Sequence, residues 1–234
     1  MQATIAWKTQ GNLLIASARY RALLPSRYMS ASGWPCEVFA PQRAGQYRLV
    51  IFQKVYDDEA VRLVESLKAR GAKTVFDLCD NLFHYDLDNP PAVEHRTEQL
   101  KRMIDAVDAI SVSTPAVRDA VRDATGKTAV VIDDAIEEPR LNALARWHYR
   151  IKNGLVTARN DTFRVVWYGV AGGTNPRFGM VDLSKVLPAL SALHKDVPLS
   201  LSVISNSAEL FREHTKGADF PVRYHEWEQR SFPY

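Results

Sequence analysis

The sequence predicts an α/β protein assembled from repeated strand–helix units around parallel sheets. Three observations carry this expectation. Short apolar runs of strand length alternate with longer segments whose apolar residues recur at helical spacing. The runs return roughly every 25–35 residues, the separation that a right-handed strand–helix–strand crossover needs. The cycle then restarts after a polar stretch at 150–161, which predicts a second unit.

The elements follow in order. Thr4–Trp7 is the first apolar run, and it ends in the turn-forming cluster Gln10-Gly11-Asn12. Leu13, Leu14, Ala18, Leu23 and Leu24 then keep helical spacing, with Arg19, Arg21 and Arg27 between them, until Gly33-Trp34-Pro35 stops the helix. Cys36–Phe39 is a short strand, and Tyr47–Phe52 a buried one with Leu49, Val50 and Ile51 in succession. Asp57 and Asp58 suit a helix N-terminus. Ala60, Leu63, Val64 and Leu67 give that helix its apolar face, and Gly71 ends it. Thr74–Leu78 is the next strand. The polar, proline-punctuated residues 80–91 read as a long loop, and Val93 to Val107 as a helix. Ala109–Val112 is a strand. Thr114 can cap the following helix with Pro115 in its first position, and Gly126 closes it. Ala129–Ile132 is the last strand of this series.

The predicted organisation is therefore a unit over 1–137, a connecting segment over 138–161 with a helical stretch around Leu141–Tyr149, and a second unit over 162–234. In the second unit Phe163–Tyr168, Leu199–Ile204 and Val222–Trp227 are strands. Leu183–His194, bent at Pro188, and Ala208–Thr215 are helices. That is half the strand complement of a doubly wound sheet.

Composition narrows the class. Hydrophobic residues make up 46% of the 234 and charged residues 24%, so the chain can fill a core and is not globally disordered. A formal charge of +3 is too small to argue for nucleic acid, and no nucleic-acid partner is expected. The two cysteines, Cys36 and Cys79, stand in apolar stretches without metal-ligand spacing and read as buried thiols. The segment MQATIAWKTQ lacks the pattern of a signal peptide, and no apolar run has the length of a membrane span, so cytoplasmic residence is the expectation. The scattered Trp34, Trp147, Trp167 and Trp227 read as core or interface residues.

Parallel sheets bind ligands at the carboxyl ends of their strands, which selects the loops to weigh. The segment from Gly169 to Gly179 follows a strand and precedes a helix. Gly169, Gly172 and Gly173 would let backbone N–H groups approach a phosphate. Asn175 and Arg177 could add a hydrogen bond and a charge. The plainer reading is a connection that uses glycine for turn geometry. The stretch from Val75 to His84 puts Asp77, Asp80 and His84 at a strand end, where they could act as acid and base or bind sugar hydroxyls, with Asn81 beside them. Solvated carboxylates around a loop are the alternative. Gly11 and Ser113 stand at two further strand ends. Asp86-Leu87-Asp88 could hold a divalent cation, though an acidic loop is simpler and no metal site is expected. Arg19, Arg21 and Arg27 read as a solvated helix face, or as cations meeting an anionic acceptor.

The order of these features resembles the front part of family 4-like (group 1) GT-B glycosyltransferases. The likeness rests on several segments. They are Ser17-Ala18-Arg19-Tyr20-Arg21 leading to Gly33, Val50–Gln53 with its following helix, and Phe76-Asp77-Leu78-Cys79-Asp80-Asn81. Ser111-Val112-Ser113-Thr114, Phe163–Gly169 and Asn175-Pro176-Arg177-Phe178-Gly179-Met180 complete it. The resemblance implies two Rossmann-like domains facing a cleft, the first on the acceptor side and the second on the donor side. It implies transfer of a sugar from a nucleotide-sugar donor to a glycan or lipid-linked acceptor in carbohydrate biosynthesis. A peripheral membrane contact is compatible with it. No cofactor beyond the nucleotide sugar as co-substrate is implied. In that family the donor loop often carries an arginine and a lysine where this chain has Val170 and Phe178, which leaves Arg177 as the nearest cation. The family's later paired glutamates are not found before Tyr234, so the chain alone is expected to transfer sugar poorly. Two other readings stay open: a non-catalytic Rossmann-like module that binds a glycan or nucleotide, and a metal-dependent GT-A-type transferase using Asp86 and Asp88.

Overall fold

The computed structural model describes residues 4–11, 13, 15–83, 90–135, 144, 147, 148, 150, 151, 162–172 and 179–227. It is an α/β protein with two separate parallel sheets, as the alternation of runs predicts. The chain divides into two compact units, Met1–Glu138 and Pro139–Tyr234.

The first unit holds a six-stranded sheet in the order β2-β1-β3-β4-β5-β6. Its strands are β1 (Ile5–Thr9), β2 (Cys36–Val38), β3 (Leu49–Gln53), β4 (Lys73–Leu78), β5 (Ala109–Val112) and β6 (Val130–Val131). Every neighbouring pair is parallel, so all six carboxyl ends lie along one edge. β1 and β3 pair from Ile5 with Leu49 to Thr9 with Gln53. The chain leaves β1 toward β2 on one side and leaves β3 toward β4 on the other. The boundary between β1 and β3 is thus the topological switch point, where connections diverge and leave a crevice.

Local signals set the helices. α1 is three contiguous segments: α-helical Ala16–Ala18, a π-helical turn Arg19–Leu23, and α-helical Leu24–Ala31. α2 (Asp58–Ala69) is capped by the Asp57 side chain, which accepts from the Ala60 N–H at 2.8 Å. α3 is Pro90–Ala106. It begins earlier than the apolar periodicity suggested, because proline is well suited to a first helical turn. α4 (Pro115–Thr125) has Thr114 as its cap, accepting from the Val117 N–H, and ends at Gly126 in the left-handed conformation. The core is built as the spacing predicts. Val50, Phe52, Phe76, Leu78 and Val112 of the sheet pack with Val64 and Leu67 of α2, Met103 and Ile104 of α3, and Val121 of α4. A smaller cluster of Trp7, Ala22 and Cys36 seats α1.

The second unit holds β7 (Phe163–Tyr168), β8 (Leu199–Ser205) and β9 (Val222–Glu226), parallel and in the order β7-β8-β9. α5 (Val181–His194) and α6 (Ala208–His214) connect them. α5 continues through Pro188 rather than breaking there. Its core joins Leu183 and Leu187 to Leu199, Leu201, Val203 and Phe220. Of the tryptophans expected in the core or at an interface, Trp34 and Trp147 are exposed and so not core residues, while Trp167 packs against this core. The tryptophans carry no flanking periodicity, so nothing local fixed which of them a neighbouring element would cover.

Candidate functional site

The carboxyl edge of the first sheet gathers most of the chemistry-bearing residues. At its centre is a buried ion pair. Arg21 donates from Nε to Asp77 Oδ2 at 3.0 Å and from Nη2 to Asp77 Oδ1 at 2.5 Å. Ser111 Oγ donates to Asp77 Oδ1 at 2.6 Å. Arg21 Nη1 also donates to the Ile132 carbonyl and lies 3.3 Å from Asp134 Oδ1. One guanidinium thus ties α1 to β4 and to the segment after β6, and Ser111 of β5 joins through the shared carboxylate. Burial works against the Arg21 charge, but hydrogen bonding to Asp77 and the charges of Asp77 and Asp134 outweigh it and raise its pKa above the ordinary value.

This overturns the solvated-face reading of the arginines. Arg19 and Arg21 are buried, and only Arg27 is exposed. Helical spacing could not reveal it, since the acceptors on Arg21 stand 56, 111 and 113 residues away. Asp77, expected to face a ligand, is only 3% exposed and is occupied by Arg21 and Ser111. Its geometry is that of a residue that holds the edge in shape.

The accessible part of the edge lies beside it. Lys54, directly after β3, puts Nζ 2.5 Å from Asp80 Oδ2. The Cys79 thiol donates to Asp80 Oδ2 at 3.4 Å, and Gln53 Nε2 points at Cys79 Sγ at 3.8 Å. Burial first, and then the Asp80 charge, push the Cys79 pKa up to about 12. Ser113 Oγ donates to the Cys79 carbonyl at 3.0 Å, and Asn81 Oδ1 accepts from the Phe83 N–H at 3.2 Å. Gly11, exposed and left-handed at φ 66°, follows β1 on the same edge. Asp77, Asp80, Asn81 and Ser113 are therefore brought around the end of β4, with Gly11 two strands along. His84, Asp86 and Asp88 lie outside the described residues. Among the described residues, no group of three or more histidine, cysteine, aspartate or glutamate side chains could hold a metal ion. No helix there is long and apolar enough to cross a membrane.

The second candidate is the loop after β7. Ser205 Oγ donates to the Gly169 carbonyl at 2.7 Å, and the Ala171 N–H donates to Asn206 Oδ1 at 2.9 Å. The Met180 N–H closes the loop on the Ala171 carbonyl at 3.2 Å. Gly179 sits at φ 95°, and a Cβ there would come within 2.8 Å of Gly172 Cα and the Val170 carbonyl oxygen. Its two ends are thus pinched together at the carboxyl ends of β7 and β8. Gly169 and Gly172 belong to this base, while Gly173, Asn175 and Arg177 lie outside the described residues. The sequence reading missed Lys54, Asp134 and Asn206. The Ser205-Asn206-Ser207 run after β8 was the available signal for the last of these.

Fold and edge together define a Rossmann-like parallel α/β protein whose polar residues collect at strand carboxyl ends. No family profile matches the chain, and no curated protein matches it in sequence. Among solved structures, the chain is similar in fold to HepE of Anabaena, crystallised with UDP and glucose. The likeness covers 98% of this chain and 70% of that one, at 14% identity and a TM-score of 0.54. A glycosylation-associated protein complex of Streptococcus agalactiae matches over 76% of this chain and 33% of its own, at 9% identity and a TM-score of 0.39.

Proposed function

We propose that this chain is a GT-B-type glycosyltransferase, or the N-terminal portion of one, that moves a sugar from a nucleotide-sugar donor to a glycan or lipid-linked acceptor. The observation that supports it most is the chain-long likeness of fold to a protein that holds UDP and glucose. In this reading residues 1–137 serve the acceptor and residues from 162 onward the donor, joined by 138–161. Asp80 and His84 act on the acceptor hydroxyl as base or hydrogen-bond acceptor. Gly11, Asn81 and Ser113 line its path, and Asp77 holds the edge through Arg21. Backbone N–H groups of Gly169, Gly172 and Gly173, with Asn175 and Arg177, meet the donor diphosphate and steady the charge that develops as the sugar leaves. The pinched base of that loop supports the assignment, because it presents backbone at the strand ends where a diphosphate binds in such folds.

A transfer assay across UDP- and GDP-sugars, with and without a chelator, tests this. The reading expects at most weak nucleotide release from this chain, dependent on acceptor and unaffected by chelation. Activity lost on chelation and on Asp86→Asn would move the assignment to a metal-dependent transferase. Binding of a glycan with no recognition of any nucleotide would reduce the chain to a binding module.

A further inference from the structure

Lys54 stands in a backbone conformation that ordinary residues avoid. Its φ is 55°, and it is the one non-glycine residue with positive φ among the described residues. Glycine takes this region without steric cost, whereas a Cβ meets the neighbouring carbonyl oxygen there. The other left-handed positions among the described residues are all glycine. Position 54 is also a turn, immediately after β3, with its N–H donating to the Asp77 carbonyl at 3.1 Å. Glycine would satisfy that hydrogen bond equally well. The turn itself therefore gives no reason for a lysine, whose own backbone disfavours this conformation.

The Lys54 ammonium pairs with Asp80, whose side chain is 55% exposed against 22% for Lys54. An ion pair with its carboxylate open to water adds little by itself to folding. What the pair does have is place. It lies at the end of β3, beside the switch point between β1 and β3, where folds of this kind leave a ligand crevice. Across that boundary, no heavy atom of a described residue other than its chain neighbours lies within 4 Å of where a Cβ at Gly11 would stand. Behind the pair, the Cys79 thiol donates to Asp80 Oδ2 at 3.4 Å and accepts from Gln53, and Ser113 bonds the Cys79 backbone. The carboxylate is thus fixed from behind and accessible in front.

We propose that Lys54 and Asp80 form a subsite for a sugar, the ammonium donating to one hydroxyl and the carboxylate accepting from its neighbour. An ammonium donor beside a carboxylate acceptor matches a vicinal diol, which presents both roles on adjacent carbons. This inference rests on the glycosyltransferase reading and specifies its acceptor side. Lys54 then sets which hydroxyl pair is accepted, and the strained turn is the cost of directing it.

The test uses the full chain with glucose, galactose, mannose and N-acetylglucosamine as probes in ligand-observed NMR. Melting temperature and UDP calorimetry are measured alongside for Lys54→Gly, Lys54→Arg and Asp80→Asn. The expected result is a saturable signal from at least one sugar, weakened about tenfold in Lys54→Gly and in Asp80→Asn. The double variant should be no weaker than either single, because both changes break one unit. Lys54→Arg should restore part of the binding. Lys54→Gly should melt at or above the wild-type temperature, since the backbone strain is relieved. UDP binding should be unchanged throughout. Unaltered sugar binding in Lys54→Gly, a lowered melting temperature in that variant, or no saturable signal from any probe overturns the proposal. Sugar binding that follows Lys54 in a chain indifferent to UDP would leave the subsite standing and defeat the glycosyltransferase reading instead.

Discussion

Replacing Arg21 by alanine should be among the most damaging single changes in the first unit. The substitution strands the Asp77 carboxylate, 3% exposed, with Ser111 as its remaining side-chain donor. Removing one member of a buried pair leaves a desolvated charge and costs about 3–5 kcal/mol. The same pair at the surface would be worth only about 0–1 kcal/mol. Against a total of about 5–15 kcal/mol, the larger figure brings the unit close to unfolding. With a urea slope near 2 kcal/mol/M, the midpoint of the first unit should fall by roughly 2 M. Urea unfolding followed by the fluorescence of Trp7, with the other four tryptophans replaced by phenylalanine, reads this locally, because Trp7 packs against Ala22 of α1, one residue from the arginine. The paired change Arg21→Met with Asp77→Leu should cost less than Arg21→Ala alone, since no buried charge is left. A loss below about 1 kcal/mol in Arg21→Ala would refute the reasoning. It would mean that Asp77 is solvated and available to a ligand.

Three further outcomes are expected. With its pKa near 12, Cys79 should react slowly with iodoacetamide at mildly alkaline pH and quickly once urea unfolds the chain; equal rates would show that the thiol is exposed. Gly179→Ala should destabilise the second unit by about 1–3 kcal/mol, because a Cβ meets backbone at 2.8 Å and the φ is left-handed; unchanged urea unfolding would contradict the loop geometry. Burial tends to raise the Asp108 pKa, but hydrogen bonds from Thr74 and the charges of Lys68 and Lys73 outweigh it and hold it below 3.8. Its stabilisation is thus present above 3.8 and lost as pH falls through the lower folded value, so the stability gap between wild type and Asp108→Asn should close in acid and persist at neutral pH. A gap that does not change with pH would place the effect in packing.

Much of the fold was legible because it is written locally. Asp57, Thr114 and Gly126 mark helix ends through groups within a few residues of themselves. The consecutive Leu49, Val50 and Ile51 announce a strand covered on both faces. Strand ends were read short at Thr9, Gln53 and Ser205, since backbone pairing continues into polar residues that hydrophobic runs do not count. The candidate edge was legible in position but not in role. Asp77 and Asp80 sit three residues apart at the end of one strand, yet one is sealed by Arg21 and the other opens to solvent beside Lys54. That division is made by residues far away in sequence. Lys54 left no trace at all, because a lysine after a strand is an ordinary residue until its backbone angle is known.

Calorimetric titration of the purified chain with UDP and with GDP tests the central claim most directly, with Arg177→Ala measured beside it. Saturable binding of one nucleotide, weakened by Arg177→Ala while the melting temperature holds, is the expected result. A folded chain that binds neither nucleotide, or one whose binding ignores Arg177, would contradict the assignment of the loop after β7 to a nucleotide-sugar diphosphate.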